Sequence, residues 1–214
     1  MSHEKGNSKD LERAVMFNDA VFAIVLTLLV LELRLPDHAE TETPVGMLHA
    51  LQEMLPHFLA FLLSAVLVGG NWISVFNLQR TLIRIDNFFV ADLVLYLIII
   101  SLIPFCCYLV GNYPENPISF VAFGGVCQAL VVNSFFFIRH CRKKNLFHPD
   151  ADLPEIKRLE MALWIIFVLL GGMMWIAFYN THLSLILFLS YNLIPFFVTQ
   201  RLKIKTPKQG DGYF

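Results

Sequence analysis

The sequence predicts an all-α integral membrane protein with six transmembrane helices in each chain. Three observations lead there. Apolar residues make up 57% of the 214 positions, with Phe alone at 20, whereas a soluble domain holds roughly 45–50% apolar residues. They gather in blocks close to the about 20 residues that cross a bilayer as a helix. The basic residues then alternate from one inter-block segment to the next, as loops do when they take turns on two sides of a membrane.

Six blocks qualify, at about residues 15–35, 55–76, 88–110, 118–138, 159–179 and 182–200. The first follows a polar head, MSHEKGNSKDLE. It is too long for a signal h-region and no small-residue cleavage site follows, so no cleaved signal peptide is expected. The second has room to start earlier, since Met47, Leu48, Leu51, Met54 and Leu55 keep helical spacing. Pro56 then marks its first turn or a kink. The third carries Asp92 near one end, within reach of pairing with Arg80 or Arg84. Asn116-Pro117 reads as cap and first turn of the fourth. Asp152-Leu-Pro-Glu155 resembles a capping box before the fifth. The short segment Tyr179-Asn-Thr-His182 predicts a hairpin between the fifth and sixth. Gly69-Gly70 and Gly171-Gly172 are expected to permit close helix contact. No polar segment is long enough for a core of its own, so residues 1–214 are expected to form one membrane domain.

Lys and Arg set the orientation. One side receives Lys5, Lys9 and Arg13, then Arg80 and Arg84, then Arg139, Arg142, Lys143, Lys144, Lys157 and Arg158, then Arg201, Lys203, Lys205 and Lys208. The other receives Arg34, beside the acidic Asp37, Glu40, Glu42 and Glu53. Both termini are therefore predicted to be cytoplasmic. The basic run at 139–144, RHCRKK, is a topology signal and a candidate contact for anionic lipid.

Several function classes lose support. The net charge is −1, which gives no indication of a nucleic-acid partner. Cys106, Cys107, Cys127 and Cys141 lack C-x-x-C spacing, so neither zinc nor a disulfide framework is predicted. They read as small packing residues. His148-Pro-Asp-Ala-Asp152 has metal-ligand residue types, but no further ligands converge on it, and no resident metal or cofactor is expected. His49, His57 and His182 are candidates for pH sensitivity on the outer side. No H-E-x-x-H, G-x-S-x-G or phosphate loop is present, and an enzyme is not expected.

The first helix carries the chemistry. At about 100° per residue, Ile24, Leu28, Leu31, Leu35, Val21 and Phe17 fall on one apolar stripe, with Thr27 at its edge. Asn18 and Asp19 lie about 120–140° away. A charge near a membrane interior costs at least a few kcal/mol, so Asp19 is expected to have a partner, the alternative being that Asn18 and Asp19 sit hydrated at the interface. Arg13, Asn71, Trp72 and Arg84 are the candidates.

Arg13-x-x-x-Phe17-Asn18-Asp19, followed by Ala-Val-Phe-Ala-Ile, resembles the R-x-x-x-F-S-D signature of the transmembrane protein 175 family. The resemblance is specific over residues 13–33 and extends in topology to the whole chain. It implies a potassium channel, built in prokaryotic members as a homotetramer of six-helix subunits, with the first helix lining the pore. The constrictions would be rings of Ile24, Leu28 and Leu31, with Thr27 beside the first. Arg13, Phe17, Asn18, Asp19 and Trp72 would form the signature and the clasp that holds this helix. Two positions depart from the pattern: Asn18 replaces the family serine, and Ile73 follows Trp72 where a histidine is common. Glu32, about 80° from Ile24 on the wheel, is expected at the outer mouth. The implied partners are potassium and other monovalent cations, the lipid bilayer and further copies of the chain. The implied location is a bacterial-type plasma membrane, or an endosomal or lysosomal membrane in a eukaryote. The alternatives on the same fold are a non-conducting relative and a secondary transporter or proton-permeable channel.

Overall fold

The computed structural model describes residues 2–35, 42–148 and 153–199. These are helical nearly throughout: α1 Ser2–Val30, α2 Pro44–Glu53, α3 Leu55–Gln79, α4 Asn87–Ile100, α5 Ile103–Asn112, α6 Pro117–Lys143, α7 Leu153–Ala177 and α8 Thr181–Thr199. Among the described residues five stretches are long and apolar enough to cross a membrane: Lys9–Val30, Leu55–Gln79, Asn87–Asn112, Pro117–Lys143 and Ile156–Ala177.

Prolines explain where the helices break. Pro56 and Pro104 sit in the first turns of α3 and α5. A proline has no N–H to donate to the preceding turn, and its ring crowds the carbonyl four residues back. The apolar run predicted as a single third helix is accordingly interrupted at Ser101-Leu102, and α2 is separated from α3 at Met54. Asn116 caps α6 through its side chain, which accepts from the Ile118 N–H at 3.0 Å. Asp86 caps α4 by accepting from the Phe89 N–H at 2.8 Å. Asp152 and the basic segment 201–208 lie outside the described residues, as do Asp37 and Glu40.

Helix α3 packs against α1, α5 and α8, while α6 packs against α4, α5 and α7. Their common core holds Phe22, Leu29, Leu63, Phe89, Ile100, Phe120, Phe123 and Phe188, all essentially inaccessible. The four cysteines are buried and unbonded. Of the two predicted glycine pairs, only Gly171 stands close to a neighbouring helix. A Cβ on Gly69, Gly70 or Gly172 would meet nothing within 4 Å, and one on Gly171 would meet only Gln128 Nε2, at 3.3 Å. A Cβ on Gly111 would lie 3.0 Å from His57 Cδ2 and 3.3 Å from His57 Cα of α3. The tighter approach is at Gly124, where a Cβ would lie 2.5 Å from Met174 Cγ and 3.2 Å from Phe188 Cζ. Those atoms belong to α7 and α8, so Gly124 is what lets them close on α6.

Candidate functional site

Helix α1 has two unlike faces. Phe22, Val25 and Leu29 are buried against the rest of the chain, and Asn18 is fully buried on the same side. The opposite face is open: Ile24 is 57% exposed, Leu28 43% and Leu31 57%. Arg13 and Thr27 are also exposed, and so is Phe17. The 3.6-residue repeat that places them on one stripe is thus matched by the burial of the opposite side. The Thr27 hydroxyl donates to the Ile24 carbonyl at 2.7 Å. Its oxygen therefore keeps acceptor capacity directed off the helix. Helix α1 ends at Val30, and Leu31 follows in a tighter turn, its N–H donating to Leu28 O at 3.0 Å. Glu32 lies in that turn, half-buried.

Of the four candidate partners for Asp19, Trp72 is the one in contact. Its indole Nε1 donates to Asp19 Oδ1 at 2.8 Å. Asn18 Nδ2 approaches the same oxygen at a long 3.4 Å. The Trp72 ring stacks on Phe76 at 5.5 Å, and the Arg80 guanidinium lies over the far ring, 5.4 Å from its centre. Asn71 serves the neighbouring joint instead: its Oδ1 accepts from the Tyr96 hydroxyl at 2.9 Å. Tyr96 in turn sits beside Phe22, ring centres 6.3 Å apart. Helices α1, α3 and α4 are thereby clasped to one another by polar side chains on one turn of α3.

The chain has further polar joints that sequence reasoning missed or misassigned. Asp92 does not pair with Arg80 or Arg84. It accepts from Asn133 Nδ2 of α6 at 3.0 Å, and both residues are buried. The reason is register: Asp92 is six residues into α4 and faces α6, while the two arginines are exposed at its end. The Arg142 guanidinium forks onto Glu160 with contacts of 3.2 and 2.9 Å, joining α6 to α7. His140 Nε2 lies 2.8 Å from Asp86 Oδ2, its ring stacked on Phe88 at 4.0 Å. Burial opposes charge on Asp86, but the Phe89 N–H, the His140 bond and charge, and nearby Lys144 outweigh it and hold the carboxyl below its usual range. Asn133 and Glu160 were the legible signals, since an amide or carboxylate inside an apolar run asks for a partner. No group of three or more metal-ligating side chains occurs among the described residues, and 149–152 of the His148 segment lie outside them.

Residues 13–104 match the family model described as endosomal/lysosomal potassium channel TMEM175. A potassium channel of Chamaesiphon minutus is 32% identical over 132 residues, which are 60% of this chain and 64% of that protein. A potassium channel of Streptomyces collinus is 27% identical over 158 residues, 71% of this chain and 75% of its own length. The chain thus spans somewhat under two thirds of the Chamaesiphon relative's length in sequence. The crystal structure of a lysosomal potassium-selective channel TMEM175 homolog from Chamaesiphon minutus superposes with a TM-score of 0.79. That match covers 89% of this chain and 98% of the other; at 23% identity it establishes the fold.

Proposed function

We infer that this chain, a multi-pass membrane protein that belongs to the TMEM175 family through residues 13–104, is one subunit of a potassium-selective channel. The family and these relatives are ion channels rather than enzymes. In this reading α8 is a sixth span, both termini are cytoplasmic and the membrane is a bacterial-type plasma membrane. Four copies stand around an axis, each presenting α1. Closed rotational symmetry is the usual way for one helix per subunit to enclose a hole.

The observation that carries the reading is the open stripe of α1, Ile24, Leu28 and Leu31, opposite the buried Phe22, Val25 and Leu29. In the ring it forms hydrophobic constrictions. Such side chains offer an ion no oxygen ligands, so passage requires thinning the hydration shell. Potassium sheds water at lower cost than sodium and is favoured, although other monovalent cations leak through. A narrow apolar ring also closes by dewetting. Thr27 supplies the nearby oxygen, and Glu32 raises cation concentration at the outer mouth. Asp19 and Trp72 act behind the stripe, fixing the rotation of α1 against α3.

The test is potassium and sodium flux from liposomes holding the purified protein, with Ile24→Asn and Leu28→Asn beside wild type. Wild type passes potassium preferentially, and the polar substitutions raise flux or erode the preference. A silent wild type, unchanged by either substitution, would instead support the non-conducting alternative, which the Ile73 departure after Trp72 favours.

A further inference from the structure

The surface at the ends of α3, α4 and α6 includes none of the residues of the α1 stripe. Asn145 turns the chain after α6 with φ 52°, a left-handed geometry that Asn tolerates better than most residues. The segment 146–148 then runs back along 81–83. Leu82 and Phe147 pair as an antiparallel bridge. The Ile83 N–H donates to Leu146 O at 3.0 Å and the His148 N–H to Thr81 O at 2.7 Å. Arg84 Nη2 adds a bond to the Lys144 carbonyl at 3.3 Å. Two loops from different parts of the chain are therefore one platform, which holds Arg84 beside Lys144.

Its charge is unbalanced. Residues 80–86 and 139–148 contain Arg80, Arg84, Arg139, Arg142, Lys143 and Lys144 against a single acid, Asp86. Asp86 is engaged by the Phe89 N–H and His140, and Arg142 by Glu160. The other five basic residues are exposed. Apolar side chains stand among them, Ile83 45% exposed and Phe88 47%. This mixture lies where three candidate spans end, at Gln79, Asn87 and Lys143. A soluble phosphate needs the cations alone. Exposed apolar side chains at the same level match the boundary between headgroup and acyl chain.

We propose that this platform binds the phosphate of anionic phospholipid headgroups, with Arg84 and Lys144 as its principal contacts. The guanidinium of Arg84 still has N–H groups beyond the one given to Lys144 O, and a fork of donors suits a phosphodiester. Bound there, the lipid ties the α3–α4 corner to the end of α6. The inference rests on these helices being membrane spans and does not depend on conduction.

The test is titration of the full-length protein in neutral detergent with phosphatidylglycerol or phosphatidylcholine, the bound lipid counted by native mass spectrometry. Phosphatidylglycerol binds preferentially, and Arg84→Gln with Lys144→Gln weakens it by about fivefold per residue, the effect of roughly one basic side chain at an anionic surface. Arg34→Gln, at the far end of α1, leaves it unchanged. Lys144→Gln alone changes only an exposed side chain and keeps the test decisive should the double variant fold poorly. Equal binding of the two lipids would overturn the proposal, as would indifference to both variants. Displacement by inorganic phosphate at matched concentration would also overturn it, because the site would then be one for free phosphate.

Discussion

Replacing Trp72 with Phe keeps a ring against Phe76 and removes one N–H donor. That donor makes the 2.8 Å bond to Asp19 Oδ1, and the contact left behind, from Asn18, is 3.4 Å long. Asn18 cannot tighten it freely, because it is fully buried and its own Oδ1 already lacks a partner. A hydrogen bond to a charged group contributes about 1.5–3 kcal/mol. Asp19 is only half-buried, and polar pairs between membrane helices average about 0.6 kcal/mol. The coupling between Trp72 and Asp19 is therefore expected at about 1–2 kcal/mol. Thermal unfolding of wild type, Trp72→Phe, Asp19→Ala and the double variant in one detergent measures it as a cycle. A chain of this size shifts by about 2–4 °C per kcal/mol, so Trp72→Phe should melt several degrees below wild type. The double variant should lie much closer to Asp19→Ala than additivity requires. Additivity to within about 0.5 kcal/mol would refute the reasoning and make the bond incidental to how α1 is held.

Two further predictions concern packing and charge. Gly124→Ala forces Met174 and Phe188 to move, and overpacking of this kind costs about 1–3 kcal/mol, at the low end because Met174 is flexible. Gly125→Ala, with nothing within 4 Å of its new Cβ, is the paired control; equal melting temperatures for the two variants would contradict the packing assigned to Gly124. Asp86 titrates below its ordinary value in the fold. Its ionised form therefore stabilises the protein at neutral pH, and the contribution is lost as pH falls from about 4 through the depressed folded value. Asp86→Asn keeps an acceptor for the Phe89 N–H, since Asn also caps helices well. Its melting temperature should be lower than wild type at pH 7 and flatter toward acid. A parallel acid limb in the two proteins would rule out Asp86 as the titrating group.

Some features of the fold are local to a segment and others are not. Periodicity is a local property: 100° per residue follows from the backbone alone. Hence the division of α1 into one face with Ile24, Leu28 and Leu31 and another with Asn18 could be computed without any partner. The apolar blocks and the alternation of basic residues are equally local, and so is the cap at Asn116. The same arithmetic could not say that the run from 88 to 110 breaks at Ser101-Leu102, although Pro104 was in plain view, because prolines are tolerated in membrane helices when neighbours satisfy the freed groups.

What the sequence by itself determined, then, is which residues share a face and that a carboxylate at 19 or 92 must find company. Only the packed structure decided who that company is. Trp72 rather than Arg13 meets Asp19, and Asn133 rather than an arginine meets Asp92. Gly124 and Gly111, outside the glycine pairs, sit where helices touch, as does Gly171 from within them. Each answer depends on the rotation and vertical offset of one helix against another. Those are set jointly by many side chains distant in sequence, through close packing that tolerates few voids, and no single segment encodes them.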